Sequence, residues 1–455
     1  MLVEAWLARA ARARPTRVAI QTPGGSCTYA ELLVAAELGA DALAARGVRH
    51  GERVAIALPP GLAFARALHA CMLLGAVAVP VDLRLSPAER EAIADDAAFL
   101  VDEPLPGVTA AAAAGSADAR EEAPAAGSVC HDLDAVAVVI HTSGTSSAPK
   151  PVELTYGNLL WSALGSAVAL GLDRDERWLC ALPLSHVGGL SILVRSAVCA
   201  MTAVVHERFE TERVLHALRE EDVTLVSLVA TTLARLLDAG LQHPPRLRCA
   251  LTGGGPVPAA LVERARAAGV PVSMTYGLTE SCSQVTTSPV AALRDGELGA
   301  GPPLFCTRVE IAQDGEILVA GPTVAPASLA DDGWLHTGDL GAIDERGRLS
   351  VAGRKTDTIV SGGENVAPSE VEAVLESHPD VLEAAVVGRP DERWGEAVTA
   401  IVVARADRAP DEAALRAHCA GALAPYKVPK RVVVRERELP RTRSGKLLRR
   451  ELRSP

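Results

Sequence analysis

Two periods of apolar residues alternate through the first two thirds of the chain. In residues 29–96, ELLVAAELGADALAARGV repeats apolar positions at helical spacing and stops at Gly47, and RVAIALP is a short strand-like run. LAFARALHACMLLGAVAVPVD then reads as a helix running through Gly75 into a second strand. The alternation resumes with a β-branched run at residues 136–140 and a helix over 159–172. WLCALPLSHVGGLSILVRSAV follows as a strand, a break at Pro183, a polar turn and an apolar helix. Strand TAVVH, a helix to Glu220, strand VTLVSLV, a helix ending near Gly240, and strands within LRCALT and PVSMTYG complete the series. Strand–helix–strand order predicts parallel α/β sheets. Residues 104–129 are rich in Ala, Gly, Ser and Glu without apolar period, and read as a surface connection.

The texture changes at Gly296. GELGAGPPL and TRVEIAQDGEILVAGP are short alternating runs between Gly, Pro and Asp turns, which predicts an antiparallel β unit. It closes on Gly333-Trp334-Leu335-His336-Thr337-Gly338-Asp339, and a hairpin, AIDERGRLSVAG, leads to Arg354-Lys355-Thr356-Asp357. Beyond that the pattern is strand, glycine loop, helix, strand, strand. The expected division is therefore an N-terminal domain over 1–354 and a C-terminal domain over 357–455, joined at 355–357.

At 455 residues and 49% hydrophobic the chain can bury a large core, and its net charge of −11, without a dense basic block, argues against nucleic acid. No apolar stretch reaches a membrane span. MLVEAWLARAARARP, with Glu4 and spaced arginines, suits a surface helix better than a signal peptide. Nine scattered cysteines without metal spacing fit a reduced, cytoplasmic setting. One bias adds more: of 45 Lys and Arg, five are lysines (Lys150, Lys355, Lys427, Lys430, Lys446) and 40 arginines. Lysines that persist against that bias are candidates for delivering a compact charge to a polyanion.

Lys150 lies in such a place. HTSGTSSAPKPVELTYGN, residues 141–158, follows the strand at 136–140 with a run of small and hydroxyl residues, whose N–H and O–H groups suit an oxyanion. It lacks the Walker A spacing, and alone it is equally a Ser/Thr/Gly turn. Gly253-Gly254-Gly255 after a strand permits close approach of a ring or phosphate. Thr279-Glu280 at another strand end suits a phosphate and Mg²⁺, or a helix cap. His186 stands between a strand end and a helix, where open α/β sheets bind ligands, or packs there. Arg195, nine residues on in an apolar helix, snorkels or meets an anion. Lys446, in PRTRSGK, belongs to a basic tail or reaches an anionic site.

TSGTSSAPK, TYGLTE, GWLHTGD, GRKTDTIVSGGEN and PRTRSGK, in this order, resemble the signature segments of the adenylate-forming superfamily of acyl- and aryl-CoA synthetases. LPLSHVGGLSILVRS, VSLVATTLARLL and MTYGLTESCSQVTT look most like its o-succinylbenzoate–CoA ligase branch, of menaquinone biosynthesis. The resemblance implies a large N-terminal domain of two α/β sheets plus a β barrel-like subdomain, and a small mobile α+β domain pivoting at Thr356. It implies ATP, Mg²⁺ and coenzyme A, and a ligase acting through an acyl-adenylate. Thr142, Ser143, Gly144, Thr145 and Lys150 would handle the β- and γ-phosphates, and Gly253, Gly254, Gly255, Thr275 and Tyr276 the adenine. Thr279 would touch the α-phosphate, Glu280 hold Mg²⁺, and Asp339 accept from the ribose with Arg354 alongside. His186, Arg195 and Ser281 would meet the acid, Lys446 its carboxylate and the α-phosphate, and Gly362 and Gly363 the pantetheine.

The chain departs from that pattern at Ser147 and Pro151, where glycines are usual, which crowds or stiffens the phosphate loop. Other readings stay open: another aryl-, medium-chain or dicarboxylic acyl-CoA synthetase, an adenylating enzyme that loads a carrier protein, or a relative with a decayed site. The sequence leaves open whether the chain forms a homo-oligomer.

Overall fold

The computed structural model describes residues 1–106, 129–142, 150–173, 175–289, 299–406, 408–441 and 447–453. A five-stranded sheet runs in the order Phe99–Val101, Arg53–Ile56, Val77–Pro80, Val136–Thr142, Lys150–Thr155. The first four strands are parallel and the last is antiparallel to its neighbour. An eight-stranded sheet runs Thr286–Thr287, Val272–Tyr276, Cys249–Thr252, Leu225–Leu228, Arg177–Cys180, Thr202–Val205, Val18–Thr22, Gly25–Thr28. From Val272–Tyr276 to Val18–Thr22 it is parallel throughout. The inner parallel strands, such as Val77–Pro80, Thr202–Val205 and Leu225–Leu228, are short, largely apolar and buried along their length, as parallel strands covered on both faces must be.

Local signals set where the helices begin and end. Tyr29–Ala45 starts on a Thr28/Glu31 capping box, and Leu62–Leu74 stops at Gly75, whose φ of 73° is the left-handed C-cap that glycine adopts without strain. Phe64 and Leu68 of one helix, Leu159 of Tyr156–Leu170 and Leu190 of Val187–Cys199 share one core. The N-terminal helix Trp6–Ala13 lies on the surface as expected, burying the face of Trp6, Leu7, Ala10 and Ala11 and leaving Arg9 and Arg12 exposed. None of the described helices is long and apolar enough to cross a membrane.

One segment differs more. Residues 150–155 are a strand rather than part of a loop, and the next helix begins at Tyr156 rather than 159. Thr155 accepts from the Asn158 N–H while the Asn158 side chain accepts from the Thr155 N–H, a capping box hidden inside the motif. Pro151 is tolerated because this strand is the edge of its sheet, where a missing N–H is harmless.

The antiparallel unit is a four-stranded meander of Arg308–Ile311, Glu316–Ala320, Leu335–Ile343 and Leu349–Arg354. After Lys355–Asp357 comes a five-stranded sheet. The hairpin Ile359–Ser361/Glu364–Val366 joins Gly395–Ala404, which pairs with Val381–Asp391 and with Arg431–Arg435. Helices Pro368–Glu376 and Glu412–Ala422 close a separate core of Val371, Leu375, Val386, Val398 and Leu415.

Candidate active site

Parallel strands end on one rim, and most candidate residues stand there. Gly253–Gly255 follow Cys249–Thr252, Thr275 and Tyr276 end the adjacent strand, and His186 follows Arg177–Cys180 two strands away. The five-stranded sheet brings its own rim to the same place. Asp82 and Arg84, just beyond Val77–Pro80, meet His186, and Thr142 ends the neighbouring parallel strand. Two sheets meeting by their carboxyl edges make the crevice in which α/β proteins bind ligands.

Gly253 is a steric necessity. A Cβ there would lie 2.7 Å from both the Cγ2 and the carbonyl oxygen of Thr275. Gly254 has φ of 79° and Gly255 faces open space. The backbone therefore forms a side-chain-free shelf against Thr275, whose hydroxyl donates to the Thr286 carbonyl oxygen at 2.8 Å.

Beside the shelf lies a buried carboxylate. Asp339 is 6% exposed, accepts from the Tyr276 hydroxyl at 2.7 Å, and pairs with the Arg354 Nε at 2.8 Å. Arg354 faces Asp339 across the ladder and also donates to the Thr337 carbonyl oxygen at 3.0 Å. Burial, then the Asp339 charge, push the Tyr276 hydroxyl far up, so it remains a donor. An ionised carboxylate held by a hydroxyl and a guanidinium keeps further lone pairs for ligand hydroxyls.

Thr279 and Glu280 occupy a tight turn, not a helix start. The turn closes through the N–H groups of Ser281 and Cys282 onto the carbonyl oxygens of Leu278 and Thr279, with Cys282 and Ser283 at φ of 53° and 90°. Gly277 allows it, since a Cβ there would lie 1.5 Å from the Ser283 carbonyl oxygen. The Glu280 backbone is tied to the Ala325 N–H at 2.8 Å, while its carboxylate has no protein partner among the described residues. No group of three metal-ligating side chains occurs among those residues. A lone, partly exposed carboxylate suits Mg²⁺, which is commonly bound by one or two carboxylates plus substrate phosphates.

Ser281 departs from expectation. It is fully buried, and its hydroxyl donates to the Leu278 carbonyl oxygen and accepts from the Leu278 N–H, both at 3.1 Å. It closes the turn rather than facing the rim. Arg195 does not adjoin His186 either: nine residues of helix separate them by about 13 Å. Its guanidinium, 2% exposed, donates to the Ser162 hydroxyl at 3.2 Å and lies 5.5 Å over the Trp178 ring. Burial lowers its pKa to about 10, and its Nε has no hydrogen-bond partner among the described residues. Ser162 donates to the Cys282 carbonyl oxygen at 2.6 Å, so this cation sits behind the Glu280 turn.

Thr142 and Lys150 face each other at the ends of their hairpin, with the Thr142 hydroxyl on the Lys150 carbonyl oxygen at 3.2 Å. Ser143, Gly144, Thr145 and Lys446 lie outside the described residues. Gly362 and Gly363, at φ of 63° and 88°, form the tip of the Ile359–Val366 hairpin. A Cβ on Gly362 would lie 3.0 Å from the Trp394 ring.

Thr356 is bracketed by ties to opposite sides. Lys355 reaches Asp314 at 2.6 Å and Glu316 at 3.1 Å in the antiparallel unit, while Asp357 pairs with Arg449 and Arg453 of the last helix at 3.3 and 3.4 Å. Sequence reasoning missed Asp82, Arg84 and Trp394. The signal for the first two was available, since they too follow the end of a buried parallel strand.

Comparison with known proteins identifies the family. Residues 7–328 match the AMP-binding enzyme family and residues 370–446 the AMP-binding enzyme C-terminal domain. The chain is 40% identical to 2-succinylbenzoate–CoA ligase of Bacillus subtilis (strain 168), over 98% of this chain and 97% of that protein. With the Geobacillus kaustophilus (strain HTA426) ligase of the same name it shares 41% identity, over 98% and 97%. It resembles the structure of the B. subtilis o-succinylbenzoate CoA synthetase in complex with the acyl-adenylate intermediate OSB-AMP, with a TM-score of 0.87, 38% identity, and 100% and 99% of the two chains covered. The same enzyme has been solved with ATP and magnesium ion. A shared fold, ordered motifs and identity along nearly the whole length leave one conclusion: the chain belongs to the AMP-binding enzyme family.

Proposed function

We propose that this protein is an ATP-dependent acid–CoA ligase that converts o-succinylbenzoate, through an acyl-adenylate, to its CoA thioester with release of AMP and diphosphate. The observation that carries the reading is the buried Asp339, held by Tyr276 and Arg354 beside the Gly253 shelf, in a chain 40% identical along its length to 2-succinylbenzoate–CoA ligases.

Attack of a carboxylate on an α-phosphate brings two anions together, so the protein's task is to orient them and neutralise charge. In our reading the Gly253–Gly255 shelf and Tyr276 take the adenine, and Asp339 takes the ribose hydroxyls. Thr142, Ser143, Gly144, Thr145 and Lys150 hold the terminal phosphates. Thr279 donates to the α-phosphate, and Lys446 brings an ammonium to it and to the acid. Glu280 would hold Mg²⁺, which would supply further positive charge when bound. His186 orients the acyl group. Arg195, a buried cation with an unfilled Nε, is the partner we assign to the second carboxylate of a dianionic acid. The division at 354–357 and the pivot at Thr356 draw support from the opposed ties of Lys355 and Asp357. One turn there would exchange the Lys446 segment for the Gly362-Gly363 tip as the second half-reaction begins.

The deciding experiment is AMP release with ATP, Mg²⁺ and CoA against o-succinylbenzoate, benzoate, octanoate and malonate. The expected result is turnover on o-succinylbenzoate, lost in Lys446→Ala. Turnover confined to another acid would keep the chemistry and discard the substrate.

A further inference from the structure

His186 does not stand alone on the rim. Its Nε2 lies 3.3 Å from the Arg84 Nη2 and 4.0 Å from an Asp82 carboxylate oxygen. Arg84 is itself fixed. Its Nε donates to Asp82 Oδ1 at 2.8 Å, its Nη2 to Oδ2 at 2.6 Å, and its backbone N–H to Oδ1 at 3.0 Å. Asp82 is 14% exposed in its side chain and follows the buried Val77–Pro80 strand, so the anchor is rigid. The His186 backbone is the N-cap of Val187–Cys199, and its side chain makes no capping bond to that helix.

A guanidinium has five donors and no acceptor, and in a protein it does not give up its proton. A hydrogen bond between Arg84 and the His186 Nε2 is therefore possible only if Nε2 carries a lone pair. That requires a neutral ring with its proton on Nδ1. The Asp82 carboxylate does not take the Nε2 position instead: its nearer oxygen is 4.0 Å away, beyond hydrogen-bond reach, while the Arg84 guanidinium stands at 3.3 Å.

We propose that Asp82 and Arg84 are positioning residues that fix His186 as the neutral, Nδ1-protonated tautomer. Resting on our reading that His186 orients the acyl group, the imidazole acts there as a neutral hydrogen-bond donor. A neutral imidazole donates that hydrogen bond while keeping its proton, so the mixed anhydride meets no imidazolium acid. It also places the orienting group under the control of the other sheet, across the crevice.

The test needs no substrate, so it can fail independently of the functional reading. In ¹⁵N-histidine-labelled enzyme at neutral pH, the His186 ring is identified by the signals missing in His186→Gln. The expected pattern is a protonated Nδ1 with a lone-pair Nε2. Arg84→Met should move the proton toward Nε2, the tautomer an unconstrained imidazole favours. Arg84→Lys, which keeps a cationic donor, should retain the original pattern. An imidazolium or an Nε2–H ring in the unaltered enzyme would overturn the proposal, whether or not the variants fold. So would an unchanged pattern in Arg84→Met. In turnover, Arg84→Met should lower kcat at least tenfold with KM for ATP unchanged; a rise in KM for ATP alone would mark Arg84 as a nucleotide contact instead.

Discussion

Replacing Arg195 with methionine should separate stability from specificity. The residue is 2% exposed, meets no carboxylate among the described residues, and leaves its Nε unsatisfied. Methionine removes the bond to Ser162, worth about 1.5–3 kcal/mol for a charged donor, and the contact over Trp178, worth about 0.5–2 kcal/mol. Against this, replacing buried charges with apolar groups of like volume is often neutral or stabilising by about 1–4 kcal/mol. The two sides nearly cancel, so the unfolding free energy should change by no more than about 2 kcal/mol. Binding has no such compensation. Losing the partner of a desolvated carboxylate costs about 2–5 kcal/mol, or about 30- to 5,000-fold in KM. The assay compares o-succinylbenzoate with an analogue esterified at the carboxylate that does not react, by AMP release, alongside urea unfolding. The expected result is a large KM increase for the dianion, little for the monoanion, and a nearly unchanged urea midpoint. Equal effects on both acids would refute the reasoning. A stability loss above about 4 kcal/mol with the KM ratio intact would do the same, making Arg195 a prop for the Ser162–Cys282 contact behind the Glu280 turn.

Asp339→Asn keeps the shape but removes the charge and one acceptor, and should raise KM for ATP about 10- to 150-fold, from about 1.5–3 kcal/mol; ATP–diphosphate exchange measures it, and an unchanged KM would remove Asp339 from the nucleotide site. The two ends of the chain should respond oppositely to pH. Burial lowers His69 and His131 to about 4, so their neutral forms favour the fold fully above pH 6.5, and that stability is lost as pH falls from 6.5 through 4. Burial, with a lesser push from Glu372, raises Glu376 to about 7, so its contribution is full below pH 4.5 and is lost as pH rises through 7, at most about 3 kcal/mol. Urea midpoints of His131→Gln and Glu376→Gln across pH 4–8 should each lose the corresponding slope, and parallel profiles for all three proteins would contradict these assignments.

Much of this protein is written locally. Apolar period and turn chemistry determined the helices, the strands, their parallel order and the change of texture after Gly296, because these depend on neighbours a few residues apart. The glycines at 253–255 and the Thr279-Glu280 pair were legible as candidates for the same reason: a side-chain-free strand end is a local property. Residues 150–158 misled because hydroxyl and small residues serve equally as phosphate donors, edge-strand positions and helix caps, and only pairing with Val136–Thr142 chooses among them. Ser281 and Arg195 show the complementary case. Sequence told their chemistry, but whether a hydroxyl faces the rim or closes its own turn, and whether an arginine snorkels or is buried over Trp178, depends on what packs against them. Tertiary structure alone brought Tyr276, Asp339 and Arg354 together, and set Arg84 against His186, 102 positions away. No local rule encodes such pairs. They exist because separate sheets meet at a common crevice: the eight-stranded sheet meets the antiparallel meander at Tyr276 and Asp339, and the five-stranded sheet at His186 and Arg84.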